Sequence, residues 1–313
     1  AFRNSQKMRN RQIKRSIIAA AAVLPIITTG VSIATSPTPP ASASTAVTSG
    51  AIATSSTIIN PAPTDSKVIP STPISSVSVS SQSVVAPTAS SGTKLKVHYI
   101  DVGQGDSEFL ELPNGQCMLI DAGIPEEGPT VVNYIKGLGH SKIDYLIATH
   151  PHADHIGGMT DVINTFTIGQ MYMPQTSSAD TPTTKTYERL ISAIKSKGIS
   201  VHRAKAGVSI LKSGNLNADL IAPCGTNYHD LNQYSAVMML QYGDNKFLFT
   251  GDAGATSESE ITTDVKADVL KVGHHGSSTA TSQAFLNKVK PKYAILEVGT
   301  GNSYGHPTAQ TLS

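Results

Sequence analysis

The chain has 313 residues, two cysteines and a formal net charge of +2 at neutral pH, and this length suits one or two domains. The charge is uneven, because residues 1–93 hold 7 of the 24 basic side chains but only 1 of the 22 acidic ones, which leaves residues 94–313 with a net charge of about −4. No basic stripe runs through residues 94–313, which argues against a domain that binds nucleic-acid duplexes tightly through charge.

Residues 1–34 have the pattern of a signal peptide or of a single membrane anchor. A segment free of acidic residues comes first, and its basic side chains are Arg3, Lys7, Arg9, Arg11, Lys14 and Arg15. An uncharged, mostly apolar run follows over residues 17–34. This order predicts that the basic flank stays inside the cell and the rest of the chain lies outside. Cleavage after Ala34 and retention as an uncleaved anchor both remain open.

Residues 35–93 are predicted to be a disordered extracellular linker. More than half of them are Ser, Thr or Pro, none is aromatic, and the charged residues are Asp65 and Lys67. Such a segment buries too little apolar surface to offset the entropy that ordering removes. A role as a membrane or cell-wall spacer is compatible with this composition.

Residues 94–313 alternate between strand and helix patterns, which predicts an α/β sandwich of sheets covered by outer helices. We predict strands over residues 95–100, 107–112, 116–120, 143–148, 236–242, 246–249, 268–272 and 293–298, and helices over residues 129–138, 184–197 and 282–289. The chain lacks an initial Met and stops soon after Gly305-His306-Pro307, so we expect a fragment truncated at its C-terminus. Cys117 and Cys224 are expected to be two small buried residues, with a disulfide as the alternative.

The densest chemical signal is a loop that follows the predicted strand over residues 143–148. Its sequence is Thr149-His150-Pro151-His152-Ala153-Asp154-His155-Ile156-Gly157-Gly158. Imidazole and carboxylate groups are the expected ligands of zinc. The spacing predicts that His150 and His152 face one metal ion, while Asp154 and His155 turn to a second.

Two later strand ends supply further candidate ligands. Asp252 follows an apolar strand in Thr250-Gly251-Asp252, a suitable setting for a carboxylate that bridges two ions. His274 and His275 follow the strand over residues 268–272. We predict His274 as the ligand because it lies nearer the strand, and His275 as a residue that faces the substrate or supports a ligand.

This set of motifs resembles the metallo-β-lactamase superfamily, in which His-x-His-x-Asp-His precedes a Gly-Asp pair and a strand-end His. A narrower resemblance, to the extracellular hydrolase domain of the ComEC family of DNA-uptake proteins, covers nearly all of residues 94–313. It depends on residues 100–107 (Ile-Asp-Val-Gly-Gln-Gly-Asp-Ser), 120–123 (Ile-Asp-Ala-Gly), 250–253 (Thr-Gly-Asp-Ala), 274–277 (His-His-Gly-Ser) and 304–307 (Tyr-Gly-His-Pro).

The resemblance implies an αββα sandwich that binds two divalent metal ions, Zn²⁺ or Mn²⁺. A hydroxide that bridges the ions would attack phosphodiesters, either nucleic acid or a small phosphate ester, outside the cell. Asp154 would orient this nucleophile or bind the second metal, and His275 or Ser277 would contact the developing oxyanion. Asp121 would support the histidine loop from behind.

One departure from the superfamily pattern concerns a further histidine that most members carry between the histidine loop and Gly-Asp. Residues 232–235 (Asn-Gln-Tyr-Ser) occupy that stretch, as in ComEC-like domains, and His229 is a candidate substitute. Hydrolysis of a lactam, lactone or other ester, and a non-catalytic surface binding module of the same fold, are the competing functions. The leader and linker imply a secreted or membrane-anchored protein that contacts membrane or cell wall, and no protein partner is evident.

Overall fold

The computed structural model describes the backbone of residues 18–21 and 31–35, and both backbone and side chains of residues 94–313. The predicted linker lies outside the described residues apart from Thr35, and so does most of the predicted leader. Two short strands occur within that leader: β1 (Ile18–Ala21) and β2 (Val31–Thr35). Among the described residues, no helix combines the length and apolarity needed to cross a membrane.

The first sheet has seven strands in the order in which they occur along the chain. It contains β2 and, in turn, β3 (Leu95–Tyr99), β4 (Glu108–Glu111), β5 (Cys117–Ile120), β6 (Lys142–Ile147), β7 (Thr167–Pro174) and β8 (Val201–Ala204). Neighbouring strands from β3 to β5 pair antiparallel, and neighbouring strands from β5 to β8 pair parallel. The predicted hairpin thus forms around Asn114-Gly115, where Gly115 has a φ of +82°.

The second sheet also has seven strands, in the order β1-β14-β13-β12-β11-β10-β9. Its new members are β9 (Val208–Ser213), β10 (Leu216–Leu220), β11 (Met238–Tyr242), β12 (Asn245–Phe249), β13 (Val269–Lys271) and β14 (Tyr293–Leu296). Strands β9 to β12 form antiparallel hairpins, whereas β12, β13 and β14 run parallel.

The described residues form seven α-helices: α1 (Gly128–Gly137), α2 (Ala153–Ile156), α3 (Met159–Thr165), α4 (Lys185–Lys197), α5 (Ala255–Glu260), α6 (Gln283–Val289) and α7 (Ala309–Leu312). One apolar core lies between the two sheets and includes Tyr99 and Phe249. A second core joins the first sheet to α1, α3 and α4, and a third joins the second sheet to α6. The layers are therefore helix, sheet, sheet, helix, which confirms the predicted αββα sandwich.

Strands β1, β2, β7, β9 and β10 and helices α2, α3, α5 and α7 were not predicted, whereas β8 lies where a strand is expected around His202. β7 is exposed along its first half and buried along its second, so neither an alternating nor a continuous apolar pattern marks it. β9 and β10 form a hairpin at Gly214-Asn215. β9 does not alternate between apolar and polar residues, whereas β10 does, so the signal for β10 was available and was missed. Cys117 is buried in β5, but Cys224 is exposed and the two are not bonded, so burial was predicted wrongly for Cys224.

Candidate metal centre

Three strands of the two sheets end at one place and deliver the candidate ligands. The histidine loop follows β6, Asp252 follows β12, and the paired histidines follow β13. The first two loops touch, because a Cβ on Gly251 would lie 2.9 Å from Cβ of Thr149. Gly251 also has a φ of +51°, a conformation that favours glycine. This close approach brings Asp252 against the histidine loop.

A first group of candidate ligand atoms belongs to His150, His152 and Asp252. Nε2 of His150 lies 3.0 Å from Nδ1 of His152 and 3.8 Å from Oδ2 of Asp252. Two imidazole nitrogens that face one another with a carboxylate oxygen beside them form a typical donor set for a divalent transition metal. The sequence placed these three residues in the site.

A second group belongs to Asp154, His155 and His275. Nε2 of His275 lies 3.3 Å from Oδ2 of Asp154, and Nε2 of His155 lies 3.3 Å from Oδ2 of Asp252. The same Asp252 oxygen is 3.7 Å from Nε2 of His275. Asp252 thus lies between the two groups, as expected of a carboxylate shared by two ions.

The inward atoms of this cluster have the character expected of metal ligands. Nε2 of His155, Nε2 of His275 and Oδ1 of Asp252 are buried and have no hydrogen-bond partner among residues 94–313. A buried polar atom without a partner carries a desolvation cost of about 1–3 kcal/mol. Several such atoms that converge on one point are satisfied together by a cation, so the donor set fits a metal centre.

Outer hydrogen bonds fix which imidazole nitrogen faces the centre. Nδ1 of His155 lies 2.8 Å from Oδ2 of Asp121, and Nδ1 of His275 lies 2.9 Å from the carbonyl oxygen of Glu297. Each Nδ1 must carry the proton to donate to these acceptors, which leaves the Nε2 lone pair directed inward. Asp121 also accepts a hydrogen bond of 2.8 Å from the backbone N–H of Thr149. The structure therefore puts Asp121 where the resemblance implied.

Burial and mutual charge set the ionisation of the ligands. Burial lowers the pKa of His150 well below its usual value, so this imidazole is neutral at physiological pH. Burial alone would raise the pKa of Asp252, but the neighbouring His155 and His275 hold it well below its usual range. Burial lowers the pKa of His155 and His275, but the carboxylates of Asp252 and Asp106 outweigh it and raise both, that of His275 to about 10, so metal must displace a proton from each ring.

His274 and His275 take the reverse of the positions predicted for them. Nε2 of His275, which is buried, belongs to the second ligand group. The His274 side chain is 24% exposed, its Nδ1 lies 3.1 Å from Oγ1 of Thr279, and its Nε2 lies 3.6 Å from Oδ2 of Asp252. Both residues have positive φ, 50° and 52°, and this turn points the second ring inward. The geometry therefore favours His275 over His274 as the ligand, and the assignment of His274 stays a prediction.

A buried charged cluster behind the centre was not predicted from sequence. Lys271, with its side chain 0% exposed, forms an ion pair with Asp106, whose Oδ1 is 3.1 Å from Nδ1 of His275. Glu108 and Glu297 complete the cluster, and burial together with Asp106 raises the pKa of Glu297 to about 7. A lysine within the apolar strand Val269–Lys271 was the available signal, because lysine is rarely buried without a partner.

His229, the candidate substitute ligand, and His202 both lie apart from the ligand groups. His229 is 73% exposed and faces Asp180, so the structure does not support it as a substitute ligand. His202 stacks on Tyr172 with ring centroids 5.2 Å apart. At the stretch where most superfamily members carry another histidine, the hydroxyl of Ser235 accepts a hydrogen bond of 3.1 Å from the backbone N–H of Asp252. That contact steadies Asp252 from outside the cluster.

The candidate metal centre lies in a part of the chain that matches a known protein family. Residues 100–299 match the metallo-beta-lactamase superfamily. The chain is 28% identical over 237 residues to ComE operon protein 3 of Bacillus subtilis (strain 168), a match that covers 69% of this chain and 30% of that protein. It is 30% identical over 220 residues to Recombination protein 2 of Haemophilus influenzae, covering 68% of this chain and 25% of that protein.

The chain therefore spans less than a third of the length of these two relatives. Among solved structures, the chain is similar to CmlA, a diiron beta-hydroxylase from Streptomyces venezuelae, with a TM-score of 0.42 and 14% identity. That match covers 62% of this chain and 43% of the CmlA chain.

Proposed function

Because the chain is a ComEC-type member of the metallo-beta-lactamase superfamily, we propose that residues 94–313 form a metal-dependent hydrolase of phosphodiesters. The observation that carries this proposal is the convergence of unpartnered, buried ligand atoms on Oδ2 of Asp252. Two divalent ions held between the rings of His155 and His275 and the carboxylates of Asp154 and Asp252 would satisfy these atoms together.

We assign one ion to His150, His152 and Asp252, and the other to Asp154, His155 and His275, with Asp252 shared. When bound, two divalent cations supply Lewis acidity and lower the pKa of water toward about 7. Zn²⁺ suits this mixture of imidazole and carboxylate donors, and Mn²⁺ is the alternative.

At the solvent-exposed side of the centre, Asp154 and His274 would position water and substrate. Asp154 is 29% exposed, and its pKa is lowered because contacts with His275 and His155 outweigh its burial. An ionised carboxylate at that edge accepts a hydrogen bond from an incoming water and orients it toward the substrate. His274, half-buried beside Asp252, is placed to contact the substrate oxygens. Ser277 is a poorer candidate because it is buried and its hydroxyl lies 3.0 Å from that of Thr279.

The phosphodiester part of the proposal has separate support. The motifs shared with ComEC-type domains cover nearly all of residues 94–313, and the two named relatives are ComE operon protein 3 and Recombination protein 2. The net charge of about −4 argues against tight binding of rigid duplexes through charge.

Hydrolysis of bis-p-nitrophenyl phosphate by the Zn²⁺- or Mn²⁺-loaded protein tests the proposal directly. We expect turnover in the wild-type chain, at least a 100-fold loss in Asp252→Asn, and no loss in the control His202→Ala. A lactone and a chromogenic lactam are assayed in parallel. Turnover of either in place of the phosphodiester would overturn the substrate class, and absence of turnover in a fully metallated protein would favour the binding module.

We also propose that the domain lies outside the cell, either released or attached to membrane or wall. The support is the basic flank and apolar run of residues 1–34, followed by the Ser/Thr/Pro-rich stretch. Proteinase K added to intact cells that express the chain should digest the domain while a cytosolic marker survives. Protection of both until lysis would contradict an external location.

A further inference from the structure

Four aromatic rings in successive contact form a row from the candidate metal centre to solvent. The ring centroids of His275 and His274 are 6.0 Å apart, and those of His274 and His306 are 5.6 Å apart. Tyr304 then stacks on His306 with centroids 5.8 Å apart and an interplanar angle of 26°. The first ring is buried against the metal ligands, whereas Tyr304 is 68% exposed.

Tyr304 is the most exposed large apolar side chain of residues 94–313. A single exposed apolar residue needs no functional explanation. The combination is more specific, because this exposed ring stacks on His306, whose own ring lies edge-to-face against His274. Such an arrangement offers an apolar surface at the solvent end of the row of rings.

The turn that carries Tyr304 is held by one asparagine. Oδ1 of Asn302 accepts hydrogen bonds of 3.1 Å from the backbone N–H groups of Tyr304 and His306. Its Nδ2 donates to the carbonyl oxygens of Gly299, at 3.0 Å, and His306, at 2.6 Å. Gly305 has a φ of +74°, which lets the chain reverse between the two stacked rings. The ring is therefore positioned before any ligand arrives, which reduces the entropy lost on binding.

We propose that Tyr304, supported by His306, stacks against a nucleobase of a single-stranded substrate and thereby selects phosphodiesters that carry bases. This inference rests on the proposed function, since it adds the substrate class to the same site. Base stacking on an aromatic side chain is tolerant of sequence and needs an unpaired base. It also supplies affinity without basic residues, which suits a domain with a net charge of about −4.

The test uses a six-nucleotide thymidine strand with a 5′-fluorescein label and a matched strand in which every base is replaced by hydrogen. Binding is measured by fluorescence anisotropy in EDTA, where cleavage stops, and cleavage is measured separately with added metal. Tyr304→Leu removes the aromatic face, and Tyr304→Phe preserves it. We expect Tyr304→Leu to weaken binding of the thymidine strand about tenfold, the scale of one lost base stack. Tyr304→Phe should stay within about twofold of wild type, and the base-free strand should bind all three proteins equally.

Equal binding of the two strands to the wild type, or unchanged binding in Tyr304→Leu, would overturn the proposed base stacking on Tyr304. Failure of the proposed hydrolase gives a different result, namely no cleavage of bis-p-nitrophenyl phosphate by the metallated wild type. Even without cleavage, base-dependent binding that is lost in Tyr304→Leu would support base stacking on Tyr304.

Discussion

Lys271 and Asp106 form an ion pair in which neither side chain reaches solvent, 165 residues apart in sequence. The pair ties β13 to the Gly-rich turn after β3. Lys271 also donates to the carbonyl oxygen of Gly251 at 3.3 Å, next to the shared ligand Asp252. Asp106 in turn lies against Nδ1 of His275. We infer that this pair positions ligands from two separate loops.

Replacement of Lys271 by Met should therefore lower both stability and metal affinity. Removing one partner of a buried ion pair leaves the other charge uncompensated, at a cost of about 3–5 kcal/mol in the free energy of unfolding. Urea denaturation and zinc titration measure the two effects. The control is Lys292→Met, which removes an exposed lysine 2.9 Å from Asp268. Equal unfolding midpoints for Lys271→Met and wild type would contradict the inference.

Asp121→Asn should weaken metal binding without removing a ligand. The amide cannot serve as a carboxylate acceptor for both Nδ1 of His155 and the N–H of Thr149, so the imidazole loses its fixed orientation. Loss of such a supporting contact lowers metal affinity about 10- to 100-fold. Competition with a chromogenic chelator measures the affinity. The matched control is Asp144→Asn, a carboxylate that accepts from the N–H of Cys117 in β5, and its affinity should stay at the wild-type value. Equal metal affinities of Asp121→Asn and Asp144→Asn would exclude a supporting role for Asp121.

The two adjacent histidines should differ in metal stoichiometry. His275→Ala removes a buried member of the second ligand group, so we expect about one ion per chain to be lost. His274→Ala alters a side chain that is 24% exposed and should retain both ions while it loses turnover. Inductively coupled plasma mass spectrometry on the dialysed proteins gives the counts. Loss of metal from His274→Ala with retention in His275→Ala would restore the assignment made from sequence.

Native protein should expose one reactive thiol per chain. Cys224 is exposed, whereas Cys117 lies buried in β5. Burial raises the pKa of both thiols, that of Cys117 to about 11, so access of the reagent decides which thiol reacts fast. Ellman's reagent should therefore titrate one thiol quickly and the second after denaturation, and Cys224→Ser should abolish the fast phase. A disulfide would instead give no reaction until a reductant is added.

The parts of the site that the sequence predicted are those carried by local patterns. His150, His152, Asp154 and His155 lie within six positions after an apolar strand, and Asp252 follows another. Apolar runs of residues predict where strands end, and clustered donors predict a metal at that edge. The layered architecture followed from the same alternation of strands and helices.

The parts that escaped prediction depend on conformation or on distant contacts. The choice between His274 and His275 is decided by two consecutive residues with positive φ, which adjacency to a strand does not reveal. The Lys271–Asp106 pair joins two motifs far apart in sequence, so neither residue showed its partner. Within the predicted leader, β1 and β2 pair with strands of the two sheets, and the signal or anchor role of that segment stays a prediction.

Metal content of the purified chain tests the central claim most directly. After dialysis with excess Zn²⁺ and removal of loosely bound ions, mass spectrometry should find two zinc ions per wild-type chain. Asp252→Asn, which changes the carboxylate between the two ligand groups, should hold fewer than two and unfold at a lower temperature. Wild-type protein that binds no metal and shows the same unfolding temperature with and without EDTA would contradict the account.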